Sequence, residues 1–231
     1  MKLAFSWDDG APQDQRLFEL HEKYQIPGMF FVPTYNREGR KVLTSETIKN
    51  AESEFVQFGG HTQNHVYLTE LTIDDAQREV LDNKKYLEDT LGHPIEHFCL
   101  PGGKYNQEIV DMLYHHFQTI RTADTMNFSY KGGLLKPAFH FYPRGIKSLL
   151  GNGLRQKNFK ELGFVLSHIR TDYFELMREM ILHDRYENKV IMIWGHSWEI
   201  EELGLWGELE DLFRLVSTEL SGNVVAYGEI F

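Results

Sequence analysis

Short apolar runs alternate with amphipathic stretches along the whole chain. "KLAFSW" from Lys2, "GMFFVP" from Gly28, "EFVQFGG" from Glu54, "HFCLPGG" from His97, "FQTIRT" from Phe117 and "KVIMIWGH" from Lys189 are short, apolar and closed by turn residues. Such runs read as buried strands. "NVVAY" from Asn223 reads as a last strand. Between them the apolar positions recur at helical spacing. Residues 13–24 carry Leu17, Leu20 and Tyr24 on one face, and residues 73–91 carry Ile73, Ala76, Val80, Leu87 and Leu91. Thr72 sits at an N-cap position with Asp75 three residues on, and Gly92 is placed to end the helix. Helices are also predicted over 45–53, 106–116, 171–187 and 206–220. The stretch 124–167 is the least periodic, with several glycines, Pro137 and Pro143.

Strand–helix alternation predicts an α/β fold with a mainly parallel sheet covered by helices. Seven or eight strands can close into a barrel or stay open and doubly wound. The polar clusters decide for the barrel. "SWDDG", "FGGHTQNH", "CLPGGKYN" and "IWGHSW" each follow a predicted strand directly. In a barrel those strand ends share one face, where an active site forms. With no repeat, low-complexity tract or linker in view, residues 1–231 are expected to form one catalytic domain.

Composition narrows the classes. Apolar residues are 42% of the chain and aromatics 13%, enough for a sizeable core. The formal charge of −10, with no basic cluster, argues against a nucleic-acid partner. The single cysteine, Cys99, excludes an internal disulfide and a cysteine-rich zinc module. No signal-like or membrane-length apolar run is present, so a cytoplasmic protein without a membrane partner is expected.

Chemistry enters at the strand ends. Asp8 and Asp9 are adjacent carboxylates that repel each other unless a cation compensates one. His61 and His65 have a spacing that places both imidazoles on one face of a helical turn, where they grip one metal ion. Either aspartate can complete a three-ligand site with an open position. Zinc is the first choice, with cobalt, nickel and iron as alternatives. His196 leaves an apolar strand between Trp194 and Trp198, which read as core packing or as a wall against a sugar face. Pro101-Gly102-Gly103 lets a backbone N–H approach a ligand closely. Cys99, in an apolar strand, reads as an inert buried thiol rather than a nucleophile.

These motifs resemble those of the polysaccharide deacetylases of the carbohydrate-esterase 4 type, with their NodB-like domain. Ser6-Trp7-Asp8-Asp9-Gly10 is similar to the first motif and His61-Thr62-Gln63-Asn64-His65 to the second. Cys99-Leu100-Pro101-Gly102-Gly103 is similar to the third and Ile193-Trp194-Gly195-His196 to the last. The resemblance spans roughly residues 2 to 228. It implies a distorted (β/α) barrel of about seven parallel strands and a metal-dependent hydrolase that removes N-acetyl or O-acetyl groups from a carbohydrate. It also implies Asp8 as general base, Asp9, His61 and His65 as metal ligands, His196 as general acid and Gly102 N–H as oxyanion donor. The third motif's arginine, which orients the base, is Cys99 here. Arg121 and Arg144 are the candidates to replace it, and replacing Arg121 is expected to leave stability nearly unchanged. A metal-dependent amidohydrolase acting on a small amide and a non-catalytic carbohydrate-binding relative are the alternative readings.

Overall fold

The apolar runs pair side by side in one parallel sheet. Its strands are β1 (Lys2–Asp8), β2 (Gly28–Val32), β3 (Val56–Gly60), β4 (His97–Cys99), β5 (Thr119–Arg121), β6 (Leu134–Leu135), β7 (Phe139–His140) and β8 (Val190–Gly195). They lie in the order β6-β5-β4-β3-β2-β1-β8-β7. The computed structural model describes residues 1–128, 132–168, 170–183 and 189–230.

That order forces the sheet to curl. β6 and β7 are its two edges, yet only residues 136–138 separate them. Four Cα steps reach about 15 Å at most, whereas the edges of a flat eight-stranded sheet lie roughly 34 Å apart. The edges must therefore meet, and the result is a barrel with an unpaired seam. Pro137 in the seam has no N–H to donate. A neighbouring segment takes up the seam's carbonyls: Asn127 N–H donates to Pro137 O at 3.2 Å and Met126 N–H to Ala138 O at 2.9 Å. The barrel has eight strands rather than about seven, because β6 and β7 are two-residue strands inside the stretch that lacked periodicity.

Alternation along the strands sorts side chains into two layers. Leu3, Phe5 and Trp7 of β1 join the outer core under the helices. Ala4 faces inward with Met29, Phe31, Cys99, Leu135 and Met192. The expected last strand does not form. Within residues 224–226 only Val224 bridges to Leu3, and two short 3-10 turns flank them. Tyr227 and Ile230 instead fill the inner cluster. The run is apolar because it plugs the barrel, and that pattern cannot be told from a strand by composition alone.

The outer layer is α1 (Asp14–Tyr24), α2 (Ser45–Ala51), α3 (Ile73–Leu91), α4 (Gln107–Tyr114), α5 (Ile146–Arg155), α6 (Phe159–Ser167), α7 (Tyr173–Leu182), α8 (Ser197–Leu203) and α9 (Trp206–Glu219). α3 has its expected bounds: Thr72 Oγ1 accepts from Asp75 N–H at 3.2 Å, and Gly92 ends it at φ 83°. α7 is shorter than predicted, and residues 184–187 of that expectation lie outside the described residues. In the middle stretch, α5 carries Gly153 because a Cβ there would meet Leu162 Cδ2 of α6 at 2.6 Å. Close helix contact explains a glycine that would otherwise argue against a helix. Among the described residues no helix is long and apolar enough to cross a membrane.

Candidate active site

The chain leaves β1 through a left-handed turn. Asp8 ends the strand, and Asp9 and Gly10 follow at φ 76° and 58°. Aspartate tolerates that region better than most residues, and at Gly10 a Cβ would meet Val32 Cγ1 at 2.5 Å. The turn points the two carboxylates differently. Asp9 Oδ1 lies 3.0 Å from His65 Nε2 and 3.5 Å from His61 Nε2. Asp9 Oδ2 accepts from Trp198 Nε1–H at 2.9 Å.

The two histidines meet by a different route from the one their spacing suggested. No helical turn joins them. His61 follows β3 directly, and Thr62 and His65 adopt φ 69° and 53°. His61 is held at both ends: its N–H donates to Asn83 Oδ1 of α3 at 2.8 Å, and its Nδ1–H to Cys99 O at 2.8 Å. That tautomer leaves the Nε2 lone pair aimed at Asp9.

Asp9 Oδ1 is buried and has no hydrogen-bond partner. One carboxylate oxygen and two imidazole nitrogens, mutually within 4.8 Å, converge on a common point. This donor set suits a divalent cation such as zinc. Burial would raise the Asp9 pKa, but the imidazoles of His61, His65 and His196 around it together outweigh that and hold the carboxyl well below its usual range.

Asp8 has its own cation. Arg121 Nη2 donates to Asp8 Oδ1, and Arg121 Nη1 donates to Thr122 O at 3.1 Å. Asp8 Oδ2 accepts the Cys99 thiol at 3.5 Å. The β4–β5 register places Cys99 beside Arg121, so the guanidinium stands one strand over from the position the third motif implies. Arg121 is 0% exposed and Asp8 4%. Burial alone would raise the Asp8 pKa, but the charge and hydrogen bond of Arg121, with the charges of His61 and His196, together lower it. Burial also pushes the Cys99 thiol well up, which keeps it protonated and unreactive.

The opposite wall comes from β7, β8 and α8. His196 Nδ1–H donates to Glu199 Oε2 at 2.7 Å, while its Nε2 lies 3.9 Å from Asp9 Oδ2. Burial works against its charge, yet the Glu199 hydrogen bond and the Asp9 charge raise His196 to about 9. The bonds from His140 and His196 overcome the burial of Glu199 and hold it at about 2. Sequence reasoning missed both Glu199 and His140. The i,i+3 spacing of His196 and Glu199 was a usable signal for the first; nothing local marked the second.

A cavity of about 360 Å³ joins the two walls. Asp8, Asp9, His61, His65, Gly102, Arg144, Trp194, His196 and Trp198 all line it, with Tyr67 and Arg40 at its sides. Arg121 lies beneath the cavity floor rather than in its lining, with its guanidinium 4.8 Å from the Trp194 ring. Arg144 does not reach Asp8; its Nη2 donates to His140 Nδ1 at 2.7 Å. Gly102, at φ 60°, has Tyr67 so close that a Cβ would sit 2.5 Å from Cε1.

The family model described as polysaccharide deacetylase matches residues 2–116. A peptidoglycan-N-acetylglucosamine deacetylase of Bacillus cereus is 24% identical over 173 residues, covering 72% of this chain and 71% of its own. A relative from Bacillus subtilis is 25% identical over 46% of this chain and 38% of its own. The solved structure of a peptidoglycan N-acetylglucosamine deacetylase superposes with a TM-score of 0.61 at 12% identity, over 100% of this chain and 87% of that one. A family 4 acetyl xylan esterase from Clostridium thermocellum, bound to cobalt, gives 0.56 at 13% identity, over 100% and 90%. These two superpositions establish the shared barrel. With the part that carries the first three motifs matched and the whole fold shared, the chain belongs to the polysaccharide deacetylase family, hydrolases of carbon–nitrogen bonds other than peptide bonds.

Proposed function

We propose that this protein removes the acetyl group from an N-acetylated sugar of a polysaccharide or its oligomers, with a divalent cation held by Asp9, His61 and His65. The observation that carries the reading is the division of labour between the adjacent aspartates. Asp9 presents an unpartnered oxygen to two imidazole nitrogens, while Asp8 faces a guanidinium. When bound, a divalent cation supplies Lewis acidity for a water molecule and for the acetyl carbonyl.

The chain's own groups do the rest. Asp8, kept ionised by Arg121, accepts the proton of the attacking water as its oxygen bonds to the carbonyl carbon. The Gly102 N–H faces the oxyanion that develops there. His196 carries a proton at Nε2 and passes it to the departing nitrogen as the carbon–nitrogen bond breaks. Acetate and a free amine result, and Asp8 and His196 end with protonation states exchanged. Trp198 and Tyr67 offer flat surface against which a pyranose ring can lie, whereas the Trp194 ring is covered by His140 and Arg121. The resemblance to a Bacillus cereus enzyme named for N-acetylglucosamine supports the amide over the ester as the bond cleaved.

The test is acetate release by the metal-stripped protein reloaded with zinc, cobalt, nickel or iron. N-acetylglucosamine oligomers, acetylated xylan and small linear or cyclic amides are compared. Release from the oligomers that is abolished by chelation is expected. Turnover confined to small amides, or none with any metal, overturns the reading.

A further inference from the structure

Three donors outside the Asp9 group also cluster: His140, His196 and Glu199 bring ligand-capable atoms within 4.8 Å. A second cation there is ruled out by proton bookkeeping. Arg144 has only N–H donors, and its Nη2 lies 2.7 Å from His140 Nδ1. His140 Nδ1 must therefore supply the lone pair, and His140 Nε2 must carry the hydrogen. That Nε2–H points at Glu199 Oε2, 2.8 Å away, and has no lone pair for a metal. Glu199 Oε2 accepts a second hydrogen bond, from His196 Nδ1–H at 2.7 Å.

We propose that Arg144, His140 and Glu199 form a positioning relay whose task is to aim His196 Nε2 at the leaving nitrogen. The proposal rests on the deacetylase reading for what the relay accomplishes, and on hydrogen-bond geometry for its existence. Glu199 stands on the first turn of α8, a short helix, and its side chain would swing freely on His196 alone. His140 pins it from β7, the strand next to β8. His140 is itself immobile: it is 2% exposed and stacks on Trp194 with ring centroids 4.0 Å apart and planes 9° apart. Tyr142 stacks at 5.5 Å, and Tyr173 Oη–H donates to the His140 carbonyl at 2.6 Å. Burial keeps the ring neutral, with its pKa lowered to about 4 despite Glu199. A neutral imidazole fixed in one tautomer is a directional strut, which a protonated ring beside Arg144 would not be.

The relay serves the acid step, so its loss should show only where the leaving group needs a proton. His140→Phe keeps the stack and removes the donor. His140→Gln restores an N–H towards Glu199 and an acceptor towards Arg144. Turnover is measured on an N-acetylglucosamine oligomer and on 4-nitrophenyl acetate, whose phenolate leaves without help. For His140→Phe the expected loss in kcat is on the order of 10²-fold on the amide and at most about threefold on the ester, with KM and metal content unchanged. His140→Gln should recover to within about tenfold on the amide. Equal losses on both substrates, or His140→Phe and His140→Gln behaving alike, overturn the relay. A readout free of activity stands beside it: ¹⁵N NMR of the wild-type protein should find His140 neutral with its proton on Nε2. A proton on Nδ1 overturns the relay whatever the kinetics. The expected tautomer in a protein that releases no acetate would leave the relay intact and sink the deacetylase reading.

Discussion

The two walls of the cavity are built by opposite means. The wall of Asp8, Asp9, His61, His65 and Gly102 comes from the first half of the chain and stands on left-handed backbone. Asp9, Gly10, Thr62, His65, Gly102 and Gly103 all have positive φ. The wall of Trp194 and His196, backed by His140 and Glu199, stands on regular backbone at two strand ends and one helical turn. Its geometry is set by side-chain hydrogen bonds between residues 59 apart, as in His140 to Glu199. In the first wall, strained turns demand particular residue types at consecutive positions, so function is written as compact motifs. In the second, ordinary backbone accepts many residues, and function is spread over distant positions.

The comparison predicts different failures. The largest effect belongs to the first wall's cation ligands. Asp9→Asn and His61→Ala should each lose tight binding of a divalent metal, because two remaining donors do not hold it in a water-open site. Turnover of amide and activated ester should disappear together. Metal content by elemental analysis checks this, and wild-type content in either variant would remove the site from these residues. Asp8→Asn comes next. It should keep its metal and lose turnover by about 10²–10⁴-fold. An empty site in Asp8→Asn and a full one in Asp9→Asn would exchange the two roles.

The same contrast explains what could be read from the sequence. Every strand of the first five was visible, since each is an apolar run closed by Pro, Gly or a polar pair. α3 was legible to the residue because Thr72 and Gly92 mark both ends. The middle was opaque for physical reasons. β6 and β7 are two residues each, too short for any periodicity, and Gly153 of α5 serves contact with α6 rather than a turn. Arg121 was suspected as the partner of Asp8 from its place after a strand, and the structure puts its guanidinium there. His140 could not be suspected, because its meaning depends on Arg144 and Glu199 at once.

Arg121 links the walls and gives the third prediction. The expectation that its replacement spares stability does not survive its burial. Arg121→Met would leave the Asp8 carboxylate buried without its cation, a change that typically costs about 3–5 kcal/mol. A clear fall in melting temperature should therefore accompany the loss of turnover. Since Cys99 and Arg121 are register neighbours, the exchange Cys99→Arg with Arg121→Cys returns a guanidinium to the adjacent strand. The exchanged protein should be more stable and more active than Arg121→Met. If Arg121→Met melts like the wild type, Asp8 does not depend on this arginine.

The smallest effect separates two buried histidines. His21, in the first half, has its pKa lowered by burial to about 4, as His140 does in the second. His21 takes no part in the cavity. It accepts from Trp7 Nε1–H at 2.7 Å and donates to Ile26 O at 2.6 Å, between Phe30 and Phe213. Its pKa is lower folded than unfolded, so between pH 6.5 and 4 the unfolded chain binds the extra proton. Stability is therefore unaffected above pH 6.5 and falls as pH drops towards 4. The shift of about 2.5 units corresponds to roughly 3 kcal/mol by the bottom of that window. His21→Gln keeps an acceptor and a donor but cannot be protonated. It should be less stable than the wild type at pH 7, from lost ring packing, yet lose less on going to pH 4. Thermal melts across that range give the two slopes. Because His140 titrates with the same sign, His21→Gln should flatten the curve without levelling it, and adding His140→Phe should flatten it further. Parallel curves for wild type and His21→Gln would show that His21 does not resist protonation in the folded protein.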